Sequence, residues 1–160
     1  MTSNFTPLII HEDQYLFMLV QTYENKTWRA FQDVQHPDET ELECALRCGK
    51  EQTFGVIEIK NKKPFYTASK YYDFYCFMET DVCHEFEKYL NRMLSFSLHK
   101  KRTAHKDDIV KVRWFTLDEI ISFRNVSPEL VSLLSEDLHR FRNGLHLHGQ
   151  SSSQELPLSN

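Results

Sequence analysis

The chain has 160 residues, of which 41% are apolar and 26% are charged, a balance that suits one globular domain with a core of ordinary size. Its 19 basic and 23 acidic residues give a formal net charge of −4, which excludes a strongly basic nucleic-acid-binding protein. Only four residues are glycine and 13% are aromatic, which argues against a low-complexity chain and favours a sheet-containing core.

The N-terminus and the cysteines bear on the cellular compartment. Residues 1–5 include no basic segment, and no later apolar run approaches membrane-spanning length. We therefore expect a cytoplasmic or nuclear protein with no membrane partner. Because the four cysteines form no C-x-x-C pair, we interpret them as reduced core thiols. The alternative is a metal site built from Cys44, Cys48, Cys83 and His84.

The first third of the chain is predicted to form three strands and a helix. The apolar runs Pro7–His11 and Tyr15–Gln21 are separated by three polar residues, which indicates two strands joined by a tight turn. Trp28–Val34 is predicted to be a third strand. Apolar residues recur at helical spacing over Glu41–Thr53, which predicts a helix, and Gly55 marks the break after it.

The middle of the chain is rich in β-branched and aromatic residues. The predicted strands are Val56–Ile59, Phe65–Tyr71 and Phe74–Met78. Apolar residues then recur at steps of three and four over Glu85–Leu98, as in an amphipathic helix. Ile109–Phe115 returns to the pattern of a strand.

Two further helices are predicted after this strand. The first begins near Asp118, and the second begins with Ser127 as its N-cap and Pro128 at its first helical position. The second helix is expected to end near Asn143. The polar residues beyond it, 146–160, are predicted to form a flexible C-terminal tail.

Trp28, Glu39, Arg47 and Glu51 form one spaced pattern, and this pattern resembles the Nudix hydrolase family. In that family a tryptophan-led strand runs into a glycine pair, a glutamate follows six residues later, and a helix carries Arg-Glu-x-x-Glu-Glu. The four residues occupy matching positions with the family's spacing. Lys111–Glu119 also resembles the family's late strand followed by a short acidic helix.

The same segment departs from the family pattern at several positions. The glycine pair, two of the three helix glutamates and the closing glycine are all replaced. The replacing residues are Gln32, Asp33, Cys48, Gln52 and Phe54. We therefore interpret residues 33–55 as a degenerate Nudix box.

The resemblance implies a fold and a domain organisation. The fold would be α/β (α+β), a Nudix-type α/β/α sandwich with a mixed β-sheet. A single domain would span residues 1–145, with a helical and basic insertion at about 84–108.

The resemblance also implies a chemistry, hydrolysis of a phosphoanhydride bond with Mg²⁺ or Mn²⁺ held by carboxylates. On this interpretation Glu51 and Arg47 are the catalytic candidates, and Glu51 and Glu39 are the metal ligands. Cys48, Glu51 and Gln52 would share the helix face toward the metal, where a thiol and an amide remove two negative charges. The structural alternatives are an intrahelical Arg47–Glu51 pair and a loop-to-helix Glu39–Arg47 ion pair.

Other residues are candidates for replacing a lost carboxylate or for binding a substrate. The candidate acids are Asp33, Glu43, Glu79, Asp81 and Asp107–Asp108. Trp28 and Phe31 would stack on a base, although aromatic residues in strands are more often core. Lys101 and Arg102 would contact phosphates, although a short basic loop is more often solvated surface.

Two functions from different classes follow. The first is a weak or inactive pyrophosphohydrolase that binds a nucleotide, RNA or a protein partner, including a second copy of itself, without a cofactor. The second is an active Mg²⁺- or Mn²⁺-dependent hydrolase of nucleoside diphosphates linked to another group, including dinucleoside polyphosphates or capped RNA. Glutamates introduced at Cys48 and Gln52 are expected to create or raise hydrolysis if the cleft is intact.

Overall fold

The computed structural model describes residues 2–56, 72–77, 83–101, 103–122, 125–128 and 130–131. In chain order the elements are β1 (Thr2–His11), β2 (Gln14–Thr22), β3 (Trp28–Arg29), β4 (Phe31–Val34), α1 (Glu41–Gln52), β5 (Tyr72–Phe77), α2 (Cys83–Lys100), β6 (Ile109–Thr116) and α3 (Leu117–Ser122). Most of the strand predicted at 56–59, the whole strand predicted at 65–71, the end of the last helix and the tail lie outside these residues.

The predicted hairpin is present as β1 and β2. They are joined by Glu12 and Asp13, whose φ angles of 50° and 62° allow a two-residue turn that matches the twist of the strands. The strand β1 begins at Thr2, five residues before the predicted start at Pro7. Its first residues are polar, and they are held by pairing with distant strands on both edges, which local patterning does not reveal.

The segment Trp28–Val34 is two strands, where the sequence predicted one. β3 pairs antiparallel with the far end of β2, whereas β4 pairs antiparallel with the first residues of β1. The strands β1 and β2 therefore separate at the end of the hairpin that lies away from its turn. At Ala30 the chain passes from its pairing with β2 to its pairing with β1. The prediction of one continuous strand was wrong because propensity does not show which neighbour each half pairs with.

The sheet is mixed, as predicted, since β5 runs parallel to β1 while β2, β3, β4 and β6 pair antiparallel. Helices cover both of its faces. On the front face, defined as the side of α1 and α2, Phe5 and Trp114 pack with Ala45 and Leu90. The resulting arrangement is the predicted α/β/α sandwich.

The back face, on the side of α3, has its own apolar cluster. Phe17, Leu19 and Phe115 pack there with Ile120 of α3. Adjacent residues of β6, such as Trp114 and Phe115, contribute to the cores on opposite faces of the sheet, because side chains alternate along a strand. At Pro128 the backbone is helical, and the Val131 amide donates to the Ser127 carbonyl at 3.0 Å, as expected for a helix that starts at Ser127.

The helix α1 is defined at both ends and by a close contact in its middle. Thr40 is the N-cap, and its side chain and that of Glu43 bond reciprocally to backbone amides as a capping box. A Cβ at Gly49 would lie 2.6 Å from the ring of Phe5, so this glycine lets the helix approach β1. Phe54 and Gly55 have positive φ after the helix ends.

The helix α2 covers the edge of β6 with two polar side chains. Asn91 donates to the Val112 carbonyl at 3.0 Å and accepts from the Val112 amide at 2.8 Å. Glu87 accepts from the Trp114 amide at 2.9 Å. These bonds occupy backbone groups at the edge of the sheet and orient α2 across its front face. No helix in the described part of the chain has the length and apolar character needed to span a membrane.

Candidate functional site

A polar cleft of about 460 Å³ opens on the front face of the sheet. It lies between β4, the end of α1, the second half of α2 and the loop that leads into β6. The charged residues that line it are Arg29, Asp33, Glu51, Lys101, Asp107 and Asp108. Because α2 and the following loop form one wall, the segment 84–108 contributes to the site; its status as an insertion stays a prediction.

Arg47 organises the loop between β4 and α1. Its guanidinium makes a bidentate contact with Glu39, with Nε to Oε2 at 2.7 Å and Nη2 to Oε1 at 2.9 Å. Nη1 lies 2.7 Å from Asp33 Oδ2, and Nη2 donates to the Val34 carbonyl at 3.1 Å. The predicted Glu39–Arg47 ion pair is thus confirmed, and Asp33 is a second carboxylate partner at a position where the family pattern has glycine.

These contacts shift the pKa values of both partners. Hydrogen bonds from Arg47 are the main reason that the pKa of Glu39 falls from 4.5 to about 2, against a smaller opposing effect of burial. The hydrogen bonds with Glu39 raise the pKa of Arg47. Burial lowers it by a smaller amount, and the hydrogen bond with Asp33 raises it further. Both groups stay charged at neutral pH, so the network holds the loop in one shape. The acceptor groups of Glu39 are occupied by Arg47 and the His36 amide, which makes this residue a poor metal ligand.

The end of α1 does not present three potential ligands to the cleft. Cys48 is fully buried in the front-face core, where burial raises the pKa of its thiol. Gln52 lines the cleft, but its amide donates to the Gln32 carbonyl at 3.0 Å. Glu51 is 62% exposed, and its Oε2 lies 3.6 Å from Arg47 Nη1. The expectation that Cys48, Glu51 and Gln52 share one face toward the metal is therefore wrong, because the side chain of Cys48 is buried in the core.

The side chains at the end of α1 do not fit a bound Mg²⁺. Magnesium prefers several oxygen ligands, whereas the buried thiol of Cys48 does not reach the cleft and the neutral amide of Gln52 supplies no negative charge. No group of three histidine, cysteine, aspartate or glutamate side chains with metal-binding geometry occurs in the ranges that the structure describes. Cys44 and Cys48 are buried free thiols, as the core interpretation expected.

The two aromatic candidates for base stacking lie on opposite faces of the sheet. Trp28 packs on the back face, with its ring centroid 5.0 Å from that of Phe115. Phe31 is fully buried on the front face, next to Phe5. Neither ring is among the residues that line the cleft. Within the described residues the two therefore share no stacking pocket, and the core interpretation accounts for their positions.

Of the two basic candidates for phosphate binding, the structure describes Lys101 and not Arg102. Lys101 lines the cleft, and its Nζ lies 2.8 Å from Asp108 Oδ1. Arg102 lies outside the described residues. Of the acids considered as replacements, Asp33 and Asp107–Asp108 line the cleft, while Glu43 caps α1. Glu79 and Asp81 are also outside the described residues.

Arg29 lines the cleft although the sequence analysis did not select it. Its Nε is buried and has no hydrogen-bond partner in the described part of the molecule. Burial lowers its pKa, an effect that Asp107 partly opposes. The signal was available in the sequence, because a charged residue next to Trp28 in a strand must point to the opposite face.

Solved structures with this architecture connect the chain to a known fold. A mutT/nudix family protein from Listeria innocua shares 14% sequence identity over 91% of this chain and 96% of that chain, with a TM-score of 0.57. The C. elegans Ap4A hydrolase shares 16% identity over 87% of this chain and 96% of that chain, with a TM-score of 0.51. This chain has the Nudix fold.

A further solved structure shares the fold as part of a longer protein. Shewanella oneidensis NrtR complexed with a 27mer DNA shares 15% identity over 88% of this chain, with a TM-score of 0.50. The matched region is 61% of that protein. Searches against protein-family models and curated proteins give no match. At these identities the similarity establishes the Nudix fold, while activity must be inferred from the site itself.

Proposed function

We propose that this chain is a Nudix-fold nucleotide-binding domain that is weak or inactive as a pyrophosphohydrolase. The observation that carries the proposal is the placement of Cys48 in the core, at a position where the family has a glutamate. Of the three helix positions where the family has glutamates, only Glu51 offers a carboxylate, and it is largely exposed.

The loss of metal affinity follows from charge and geometry. A divalent cation bound to an exposed single carboxylate must give up part of its hydration shell for little electrostatic gain. Arg47 also lies 3.6 Å from Glu51, and its positive charge opposes a cation at that carboxylate. Without a bound metal, the usual means of activating water and neutralising the bridging phosphates is absent.

A cleft of suitable size for a ligand lies beside this part of the chain. Its volume of about 460 Å³ lies in the range of small-molecule sites, and polar side chains from several strands, both α1 and α2, and the loop before β6 converge on it. The bidentate Arg47–Glu39 contact shapes the loop beside the cleft without any metal. The scaffold for a ligand therefore does not depend on the catalytic centre.

A nucleotide is the ligand class that this cleft and its fold favour. The C. elegans protein of the same fold is an Ap4A hydrolase, so the fold accommodates an adenine dinucleotide polyphosphate in at least one case. Arg29 and Lys101 in the cleft are suited to phosphate groups. RNA and a protein partner, including a homodimer, are the alternative ligand classes, and binding of capped RNA alone or of no nucleotide would favour them.

The test combines calorimetry with a turnover assay. The purified protein is titrated with Mg²⁺ and Mn²⁺, and then with ADP, a nucleoside diphosphate sugar, Ap4A and capped RNA, and product formation is measured for each. We expect nucleotide binding with little or no turnover. Turnover that requires the metal and disappears in Glu51→Gln would contradict the proposal. Binding of capped RNA alone, or of no nucleotide, would also contradict it.

One observation favours the second candidate function, an active Mg²⁺- or Mn²⁺-dependent hydrolase. Asp33 and Glu51 both lie within 3.6 Å of Arg47 Nη1 and both line the cleft, as does Asp107. Carboxylates from the neighbouring loops would then replace the ligands missing from α1. This candidate requires specific metal binding that weakens in both Asp33→Asn and Glu51→Gln, whereas the first requires no specific metal binding.

A further inference from the structure

Arg29 is directed into the cleft by strand geometry. It is the last residue of β3, and the preceding Trp28 packs its ring on the back face of the sheet. Successive side chains of a strand point to opposite faces, so Arg29 points to the front face, where it lines the cleft with Gln32 and Leu94. The paired backbone of β3, with Arg29 opposite Val20, holds this direction.

The guanidinium of Arg29 has unused hydrogen-bonding capacity. Its Nε is buried with no acceptor among the residues that the structure describes. Buried polar groups in folded proteins are nearly always paired, so an unpaired donor on the wall of a cleft indicates a missing acceptor. An acceptor supplied by a ligand would satisfy it.

The other cations near the cleft already have partners. Lys101 contacts Asp108, and Arg47 contacts Glu39 and Asp33. Among these cations, Arg29 is the one whose buried Nε lacks an acceptor within the described residues, and Asp107 is the carboxylate that acts on its charge. A planar guanidinium matches the oxygens of a phosphate group and binds them through parallel hydrogen bonds.

We propose that Arg29 is the phosphate-binding residue of the cleft and holds the phosphates of a nucleoside diphosphate directly, without a divalent cation. This inference rests on the proposed nucleotide-binding function and names how its ligand is recognised. The phosphates contact Arg29 and are placed away from Glu51, a carboxylate of the same cleft that repels them. The nucleoside then extends toward the walls that Leu94 and Phe54 contribute.

The test is calorimetric titration in the presence of EDTA, which removes divalent cations. ADP, inorganic pyrophosphate and adenosine are titrated into the full chain and into two variants, Arg29→Gln and Arg113→Gln. Arg113 is a matched control because it is an arginine in a strand, on the back face, and it pairs with Glu119 at 3.0 Å. Thermal unfolding verifies that both variants are folded, and Arg29→Lys tests the need for a planar group.

We expect ADP and pyrophosphate to bind in EDTA, and ADP affinity to fall at least about tenfold in Arg29→Gln, as the loss of a charge-assisted hydrogen bond predicts. Adenosine affinity should be the same in the variant and the parent, Arg113→Gln should retain ADP affinity, and Arg29→Lys should recover only part of it. Equal ADP affinity in Arg29→Gln, or ADP binding that appears only with Mg²⁺, would overturn the inference and leave nucleotide binding standing. Absence of ADP binding with and without Mg²⁺ would overturn the inference together with the proposed function.

Discussion

The two halves of α1 differ in what they keep of the Nudix pattern. The first half, residues 41–47, has a complete capping box at Thr40 and ends at Arg47 with its bidentate contact to Glu39. The second half, residues 48–52, begins with a buried thiol and ends with an amide bonded to a backbone carbonyl. The elements that shape the loop are present, while the ligands for a metal are replaced.

This difference shows that the two tasks of the motif are physically separable. Loop shape depends on hydrogen bonds that Arg47 makes within the chain, and these persist without a metal. Metal binding depends on carboxylates that face a cleft and are not neutralised by cations. Here one of the three helix positions, residue 48, is a cysteine buried in the core. A chain can lose the second property and still fold around the same cleft.

The largest effect on stability is expected from a carboxylate at residue 48, the start of the second half of α1. Cys48→Glu should lower the free energy of unfolding by about 3 kcal/mol at pH 7, because it buries a charge among apolar side chains. Chemical denaturation measures this, with Cys48→Ala as the control for lost packing, expected to cost about 1 kcal/mol. We accordingly expect no gain of hydrolysis from Cys48→Glu with Gln52→Glu, contrary to the expectation from sequence. A stable double variant that hydrolyses a nucleotide would show that residue 48 reaches the cleft.

The next effect tests how closely the second half of α1 packs on the sheet. Gly49→Ala should destabilise the protein by about 2 kcal/mol, because the added methyl group overlaps the fully buried ring of Phe5. Phe5→Leu should make the substitution less costly in a double-mutant cycle read by thermal unfolding. Lys50→Ala, at the neighbouring exposed position, is the control and should change stability little. An unchanged Gly49→Ala variant would mean that the helix lies farther from β1.

A pH experiment measures how much the contact between Glu39 and Arg47, in the first half of α1, contributes to stability. The pKa of Glu39 is lowered to about 2, so its contribution to stability is complete above its unfolded value of 4.5 and is lost as pH falls toward 2. The difference in stability between the parent and Glu39→Gln should be constant above about pH 5 and shrink below it. Denaturation midpoints measured from pH 7 to pH 2.5 provide the comparison. A difference that does not depend on pH would mean that the pKa of Glu39 is the same in the folded and unfolded chain, so that Arg47 does not favour its charged form.

The smallest effect is expected at Glu51. Glu51→Gln should change the free energy of unfolding by less than about 0.5 kcal/mol, because its contact with Arg47 is 3.6 Å long and the carboxylate is 62% exposed. Denaturation in low and high salt measures the remaining electrostatic part, and Glu41→Gln in the first turn of the same helix is the control. A loss above 1 kcal/mol would indicate that Glu51 belongs to the Arg47 network.

Local signals predicted much of the architecture. The hairpin, α1, α2 and β6 were found from apolar periodicity, since amphipathic patterns report which face of each element is buried. The ion pair between Glu39 and Arg47, which the resemblance to the Nudix family implied, is present. The break at Ala30 and the early start of β1 were missed, because both depend on pairing between strands distant in sequence.

The amino-acid sequence by itself determined the Nudix pattern, its replaced positions and the order of most of the described helices and strands, because these depend on composition, spacing and local periodicity. Only the tertiary structure decided which replaced positions still face the cleft. It buried Cys48 and placed Arg29 beside the cleft with a donor that has no partner within the described residues. The physical reason is that the environment of a side chain depends on where the helices pack on the sheet, which spacing along one chain does not specify.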